Sequence, residues 1–311
     1  MLGQANFGLS SGPRTFFRLP YREIRQVPVG GGADVMILGV PVDGMAGYRG
    51  GARFGPDAVR SASAYVDYDG RVRNLVVSET VTVVDGGDID ISRGYHAQTL
   101  DLIEKHIDQL HRAGILPVLV GGDHGFAVAE LRSAVKQHGR LSLVQFAAHG
   151  RSESPATLRA LDEGLIDLRT SVQIGVRGTG AAHGEGGRGF GMRTVTTDEA
   201  LVLGPTGVAR VIASVVGDRP TALSFGIDFV DPAFAPGTSA PEVGGPSSAF
   251  ALATLRSMRP PNLKTVSLVE ISPPYDHADI TAHLCAAVLL ELLALTADGR
   301  RCGIGEPVEA G

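Results

Sequence analysis

Short apolar runs alternate along this chain with longer stretches in which apolar residues recur at helical spacing. The runs at 34–40, 80–85, 115–120, 141–146, 171–176, 192–195, 221–227 and 265–271 have the length and apolar content of buried strands. Between them, 95–113 places Leu100, Ile103, Ile107 and Leu110 on one helical face, and Gly114 suits the C-cap. Further helices are predicted over 56–65, where Pro56 suits the first turn, and over 128–137, 156–165, 206–216, 247–258 and 279–295. Strand and helix alternate almost throughout, so the pattern predicts an α/β fold around a mostly parallel sheet. Residues 1–32 lack periodicity and read as an N-terminal arm, 33–300 as one domain and 301–311 as a C-terminal tail. The glycine-rich stretch 178–191 reads as a loop.

At 311 residues the chain is long enough for one large core, and 43% hydrophobic with 20% charged residues marks it as globular. A formal net charge of -5 argues against general nucleic-acid binding. Cys285 and Cys302 form no disulfide framework, which suits a reducing cytoplasm. The opening stretch lacks the basic-then-apolar order of a signal peptide. The longest apolar run, 284–295, contains Glu291 and is too short to span a bilayer, so no membrane partner is expected.

The chemistry gathers at strand ends. The run at 115–120 leads into GGDH with Asp123 and His124, and 141–146 leads into AAHGR with His149 and Arg151, which the pattern reads as the central strand. The run at 221–227 leads to Asp228 and Asp231, and 265–271 carries Glu270 at its end. Open α/β sheets keep their sites at the carboxyl ends of strands, so these ends are expected to converge on one cleft. His124, His149 and Asp228 have the chemistry of ligands for a divalent metal. Against that, Ala147, Ala148 and Gly226 stand where further carboxylates could have been, and Arg151 brings a permanent positive charge. Asp123 equally suits a helix cap, and Asp231, before Pro232, a turn. Glu270 reads as a buried acid with a purpose, or as the partner of Arg151 or Arg177.

From about residue 15 to 295, the segments TFFRLP, GVPVDG, YRGGARFGPDAVR, DGGDI, VGGDH, SFGIDFVDPAFAPGTSAPEVGG and LVEISPPYDHADITA resemble the ureohydrolase family of arginases and agmatinases. The likeness is strongest to its agmatinase and proclavaminate amidinohydrolase branch. It implies a three-layer sandwich around a sheet of about eight strands, and in the family two bridged manganese ions that activate a hydroxide against a guanidinium carbon. The family motif Asp-Ala-His-x-Asp stands here as Ala147, Ala148, His149, Gly150 and Arg151, and Asp-x-Asp as Gly226, Ile227 and Asp228. Of the implied ligands, His124, His149 and Asp228 remain, a vestigial or single-metal set. The family's His-Gly segment after the second motif has no counterpart in RSESPATLRALDEGLID. Glu270 matches the glutamate that holds the guanidinium.

The expectation is therefore an amidinohydrolase-like chain inactive in the usual reaction, acting as a pseudoenzyme or as a binding or scaffold subunit. The alternative is a re-purposed enzyme of specialised metabolism acting on a guanidino or other C–N substrate, with a single metal or none. Expected catalytic groups are His149 and Glu270, and expected ligand-binding groups are Glu270, Arg151 and Asp123. The cofactor expected is none or one divalent metal rather than the dimanganese pair. Expected partners are a small guanidino- or amino-containing ligand and, by resemblance, further copies in a trimer or hexamer.

Overall fold

The apolar runs become strands β1 (Val35–Val40), β2 (Val83–Asp88), β3 (Leu116–Gly121), β4 (Ser142–Phe146), β5 (Val172–Val176), β6 (Arg193–Thr196), β7 (Pro220–Gly226) and β8 (Asn262–Val269) in a computed structural model of the chain. The structure describes residues 14–26, 32–44, 48–92, 94–150, 155–178 and 191–304. The strands form one 8-stranded sheet in the order β2-β1-β3-β8-β7-β4-β5-β6. Adjacent strands are parallel throughout, where a mostly parallel sheet was expected. The strand that ends at His149, β4, lies toward one side; β8 and β7 hold the centre.

Among the described residues, eight helices cover the two faces: α1 (Gly55–Ser63), α2 (Val77–Thr80), α3 (His96–Arg112), α4 (Ala127–His138), α5 (Pro155–Asp162), α6 (Thr197–Val216), α7 (Ser248–Ser257) and α8 (Ile280–Arg301). Alternation along β1 shows how the layers divide. Val35 and Ile37 join the core that contains α6, α7 and α8, while Met36, Leu38 and Val40 join the core that contains α3 and α4. A strand buried on both faces needs a continuous apolar run, which is why these segments do not alternate with polar residues. The result is the three-layer α/β sandwich that the sequence implies.

Three of the boundaries that differ from the sequence reading have a plain physical cause. The strand expected at 80–85 is β2, which starts and ends three positions later, and Val77–Thr80 forms a single helical turn. Asp85 stays inside the strand because Arg60 neutralises it, with Nε 3.0 Å from Oδ2 and Nη2 3.3 Å from Oδ1. Asp85 also accepts the Phe16 N–H at 2.8 Å, which seats Phe16 and Phe17 of the expected arm in the core. The helix expected from 206 begins at Thr197, where Thr196 accepts the Glu199 N–H, and breaks at Gly204 (φ 67) ahead of Pro205. The last helix continues past 295 to Arg301, and its Glu291 is held by Arg256 at 2.6 Å. By length and composition α6 and α8 could each cross a bilayer; α8 is buried inside the domain and α6 is interrupted at Gly204.

Glu130, on α4, faces the sheet at 3% exposure and accepts a 2.6 Å hydrogen bond from Thr265 Oγ1. Burial pushes its pKa from 4.5 up to about 7. The folded value lies above the unfolded one, so charging this group costs stability, and stability falls as pH rises from 4.5 to about 7, then levels off. The full loss is roughly 3 kcal/mol. Glu130→Gln keeps an acceptor for Thr265 and is expected to raise the melting temperature at pH 8 far more than at pH 5. An equal shift at both pH values in thermal melts would show that Glu130 does not titrate as described.

Candidate functional site

Four neighbouring strands, β3, β8, β7 and β4, end side by side, and their polar ends meet as the sequence pattern predicts. Gly122 lets the GGDH turn pass close to the preceding loop, since a Cβ there would lie 1.8 Å from the Val42 carbonyl oxygen. Beyond it, Asp123 is buried at 2% exposure and accepts the Gly125 N–H at 2.9 Å, capping the turn His124–Phe126. The His124 N–H donates to Glu270 Oε1 at 2.8 Å, tying β3 to β8. The Ala148 N–H donates to Asp228 Oδ2 at 2.9 Å, tying β4 to β7.

Glu270 is the most constrained member. Its backbone is left-handed, with φ 66, a conformation rare for a residue with a side chain. Its N–H donates to the Gly122 carbonyl at 2.8 Å, which holds it there. Burial pushes its pKa up to about 8, and the like charges of Asp228 and Asp123 add to this. The pairing with Arg177 offered by the sequence is not formed. Arg177 instead donates to the carbonyls of Gly175, Asp228, Phe229, Val230 and Glu242, clamping the loop after β7. Arg151, the other expected partner and ligand-binding group, lies outside the described residues, as does most of the 178–191 loop.

The three metal-type side chains each engage the protein. His124 Nε2 lies 3.1 Å from Ser224 Oγ, and burial pushes this imidazole down to about 4, so it is neutral near pH 7. His149 Nε2 lies 2.9 Å from the Ala240 carbonyl, which only accepts, so this nitrogen carries the proton. Asp228 is 4% exposed; its Oδ1 is buried without a hydrogen-bond partner, and burial raises its pKa. That oxygen occupies the space beside Gly226: a Cβ at 226 would lie 2.3 Å from it. Asp231 accepts the N–H groups of Ala233 and Gly245, so it forms the turn that its place before Pro232 suggests.

A pair of dications, as the family resemblance implies, would make a specific demand on these groups. Two divalent ions near each other need bridging anions to offset their repulsion. The bridging positions implied by resemblance hold Ala147 and Gly226, and Asp228 has folded into the room a side chain at 226 would need. Among the described residues, no group of three or more His, Cys, Asp or Glu side chains is placed to hold a metal ion. What the arrangement offers is a neutral imidazole, a protonated imidazole nitrogen, and a buried and a part-buried carboxyl group whose pKa values lie high.

Two participants were not found by sequence reasoning. Ser224 sits within an apolar run, and only the register of β7 against its neighbours turns it toward His124. The Ala240 carbonyl carries no side-chain signal at all.

The family model described as the arginase family matches residues 33–295. The chain belongs to the arginase family. Proclavaminate amidinohydrolase of Streptomyces clavuligerus is 40% identical over 293 residues, covering 90% of this arginase-family chain and 91% of that protein. Agmatinase of Proteus mirabilis is 36% identical, covering 91% and 92%. The solved structure of the Streptomyces clavuligerus proclavaminate amidino hydrolase superposes with a TM-score of 0.86 at 38% identity, covering 93% of this chain and 98% of that one. Within the arginase family this chain is thus an agmatinase- and amidinohydrolase-like ureohydrolase, with the arginase-like α/β fold of its neighbours.

Proposed function

We propose that this member of the arginase family has lost the dimanganese site and with it the usual guanidine hydrolysis, and that it serves as a ligand-binding or scaffold subunit. The observation that carries this reading is the set of commitments around the old metal positions. His124 faces Ser224, His149 donates to the Ala240 carbonyl, and Asp228 accepts the Ala148 N–H while filling the space beside Gly226. None of these side chains is aimed jointly at a common ion.

The cleft keeps one group suited to a cation. A guanidinium or ammonium over Glu270 would form a charge-assisted pair in a site where water competes poorly. The pKa of Glu270, raised to about 8, gives this binding a sign. The ligand needs the carboxylate, so affinity rises with pH and becomes flat above pH 8, weakening about tenfold per unit below it. Calorimetric titration with agmatine from pH 6 to pH 9 is expected to show that slope, with binding lost in Glu270→Gln. An affinity independent of pH, or undiminished in Glu270→Gln, would remove Glu270 from the ligand site.

A second reading is favoured by the unpartnered Asp228 Oδ1. Together with Glu270 and the His149 imidazole it offers a metal-free acid–base set for another C–N substrate. Urea or ammonia release from a panel of guanidino compounds, insensitive to chelator, separates this reading from the first.

A further inference from the structure

At the opposite end of the sheet from the cleft, the carboxyl ends of α3, α4 and α8 frame a hollow of about 350 Å3. Ile115, Leu116, Pro261 and Leu263 give it an apolar wall. Its charged and titratable lining is His111, His138, Lys264 and Arg300, with no acidic side chain among the described residues.

The helix ends account for part of this basic character, because carbonyl-rich C-termini favour nearby cations. They do not account for two details. His111 is 9% exposed, yet its Nε2 is buried with no hydrogen-bond partner. A polar nitrogen in that state costs stability. Lys264 is half-buried, and the charged group that acts on it is Arg300, which repels it. Arg300 itself is paired with Asp34. The rings of His111 and His138 meet edge to face with centres 5.2 Å apart. Burial pushes both imidazoles down to about 4, and Lys264 adds to the effect. Asp108 acts in the other direction on His111, but Lys136 holds that carboxylate at 2.8 Å.

We infer that this hollow is a binding site for a small organic carboxylate, its apolar body against Ile115, Leu116 and Leu263 and its carboxylate against Lys264, beside the rings of His111 and His138. One such ligand answers two features of the site: it gives Lys264 a counter-charge and covers the apolar wall. Inorganic phosphate would meet the cations and leave the wall wet, and a neutral alcohol would do the reverse. The volume lies within the roughly 300–1,000 Å3 usual for small-molecule sites. This site is separate from the strand-end cleft and does not rest on the function proposed there.

The test uses the full chain with labelled histidine rings followed by NMR, the resonances of His111 and His138 being assigned through His138→Gln. Hexanoate, hexanol and inorganic phosphate are titrated in turn. Hexanoate is expected to shift both rings with a roughly millimolar or tighter Kd, and Lys264→Met to weaken it at least tenfold. Hexanol and phosphate are expected to bind more weakly than hexanoate. No saturable shift with hexanoate by about 10 mM, or an undiminished one in Lys264→Met, would overturn the site. Phosphate binding as tightly as hexanoate would overturn the assignment to a carboxylate. If Lys264→Met fails to fold, the comparison of the three ligands on the unaltered chain still decides.

Discussion

Installed together, Ala147→Asp, Arg151→Asp and Gly226→Asp are expected to give a chain that takes up about two manganese ions per molecule, against little metal expected for the unaltered chain. The electrostatic reason is direct. Ala147 and Gly226 put no charge at the two bridging positions, and a carboxylate at each would screen two dications from one another. Removing Arg151 takes a fixed cation from the same strand end. The steric condition is also met. A Cβ at 226 comes within 2.3 Å of Asp228 Oδ1, which is the far end of a side chain that can turn away, and within 3.1 Å of the Phe146 carbonyl. Turning Asp228 frees it from the Ala148 N–H for metal binding. Gly226→Asp alone should only destabilise, since it crowds two carboxyl groups into one buried space. In the triple variant, manganese at about 100 times its Kd should add about 2.7 kcal/mol of stability. A folded triple variant that neither retains manganese nor gains thermal stability from it would show that the missing carboxylates are not what bars the metals.

Arg177→Met is expected to cost at least about 3 kcal/mol, the largest loss from any single polar substitution near the cleft. The guanidinium makes six hydrogen bonds, all to backbone carbonyls, and it joins the end of β5 to residues 228–230 and 242. Methionine fills similar volume but leaves those oxygens without a donor, and several are too buried for water to reach. Arg177→Lys should recover little, because one ammonium cannot span carbonyls set around a planar fork. The same variants should loosen the loop that carries the Ala240 carbonyl, so the His149 ring resonance is expected to move as well. A loss under about 1 kcal/mol in urea unfolding would mean that the loop holds itself without the clamp.

Much of the fold was legible because burial on both faces leaves a plain trace: an apolar run, then glycine, then a polar residue. That trace located the ends of β3, β4, β7 and β8 and the convergence of His124, His149, Asp228 and Glu270. It failed where a distant residue decides the outcome. Asp88 looks like a loop residue until Arg60, far back in the chain, pairs with it and with Asp85. Arg177 looks like an ion-pair partner for Glu270, and nothing in a sequence marks the backbone carbonyls that take it instead. Ser224 needed strand register to point it at His124, and α6 begins earlier than its periodicity suggests because Gly204 and Pro205 interrupt a pattern that Thr196 had already capped. The roles of the site residues came from family resemblance; the geometry adds the hydrogen-bond partners of His124, His149 and Asp228.

Metal content per chain is the most direct test of the central claim. The unaltered protein would be produced with added manganese, iron, zinc and nickel, purified without chelator, and measured by elemental analysis. Less than roughly a tenth of an equivalent of every metal is expected, because no three ligand-type side chains among the described residues surround a common point. About two equivalents of manganese, lost when His124 and His149 are replaced by alanine, would contradict the loss of the dinuclear site outright.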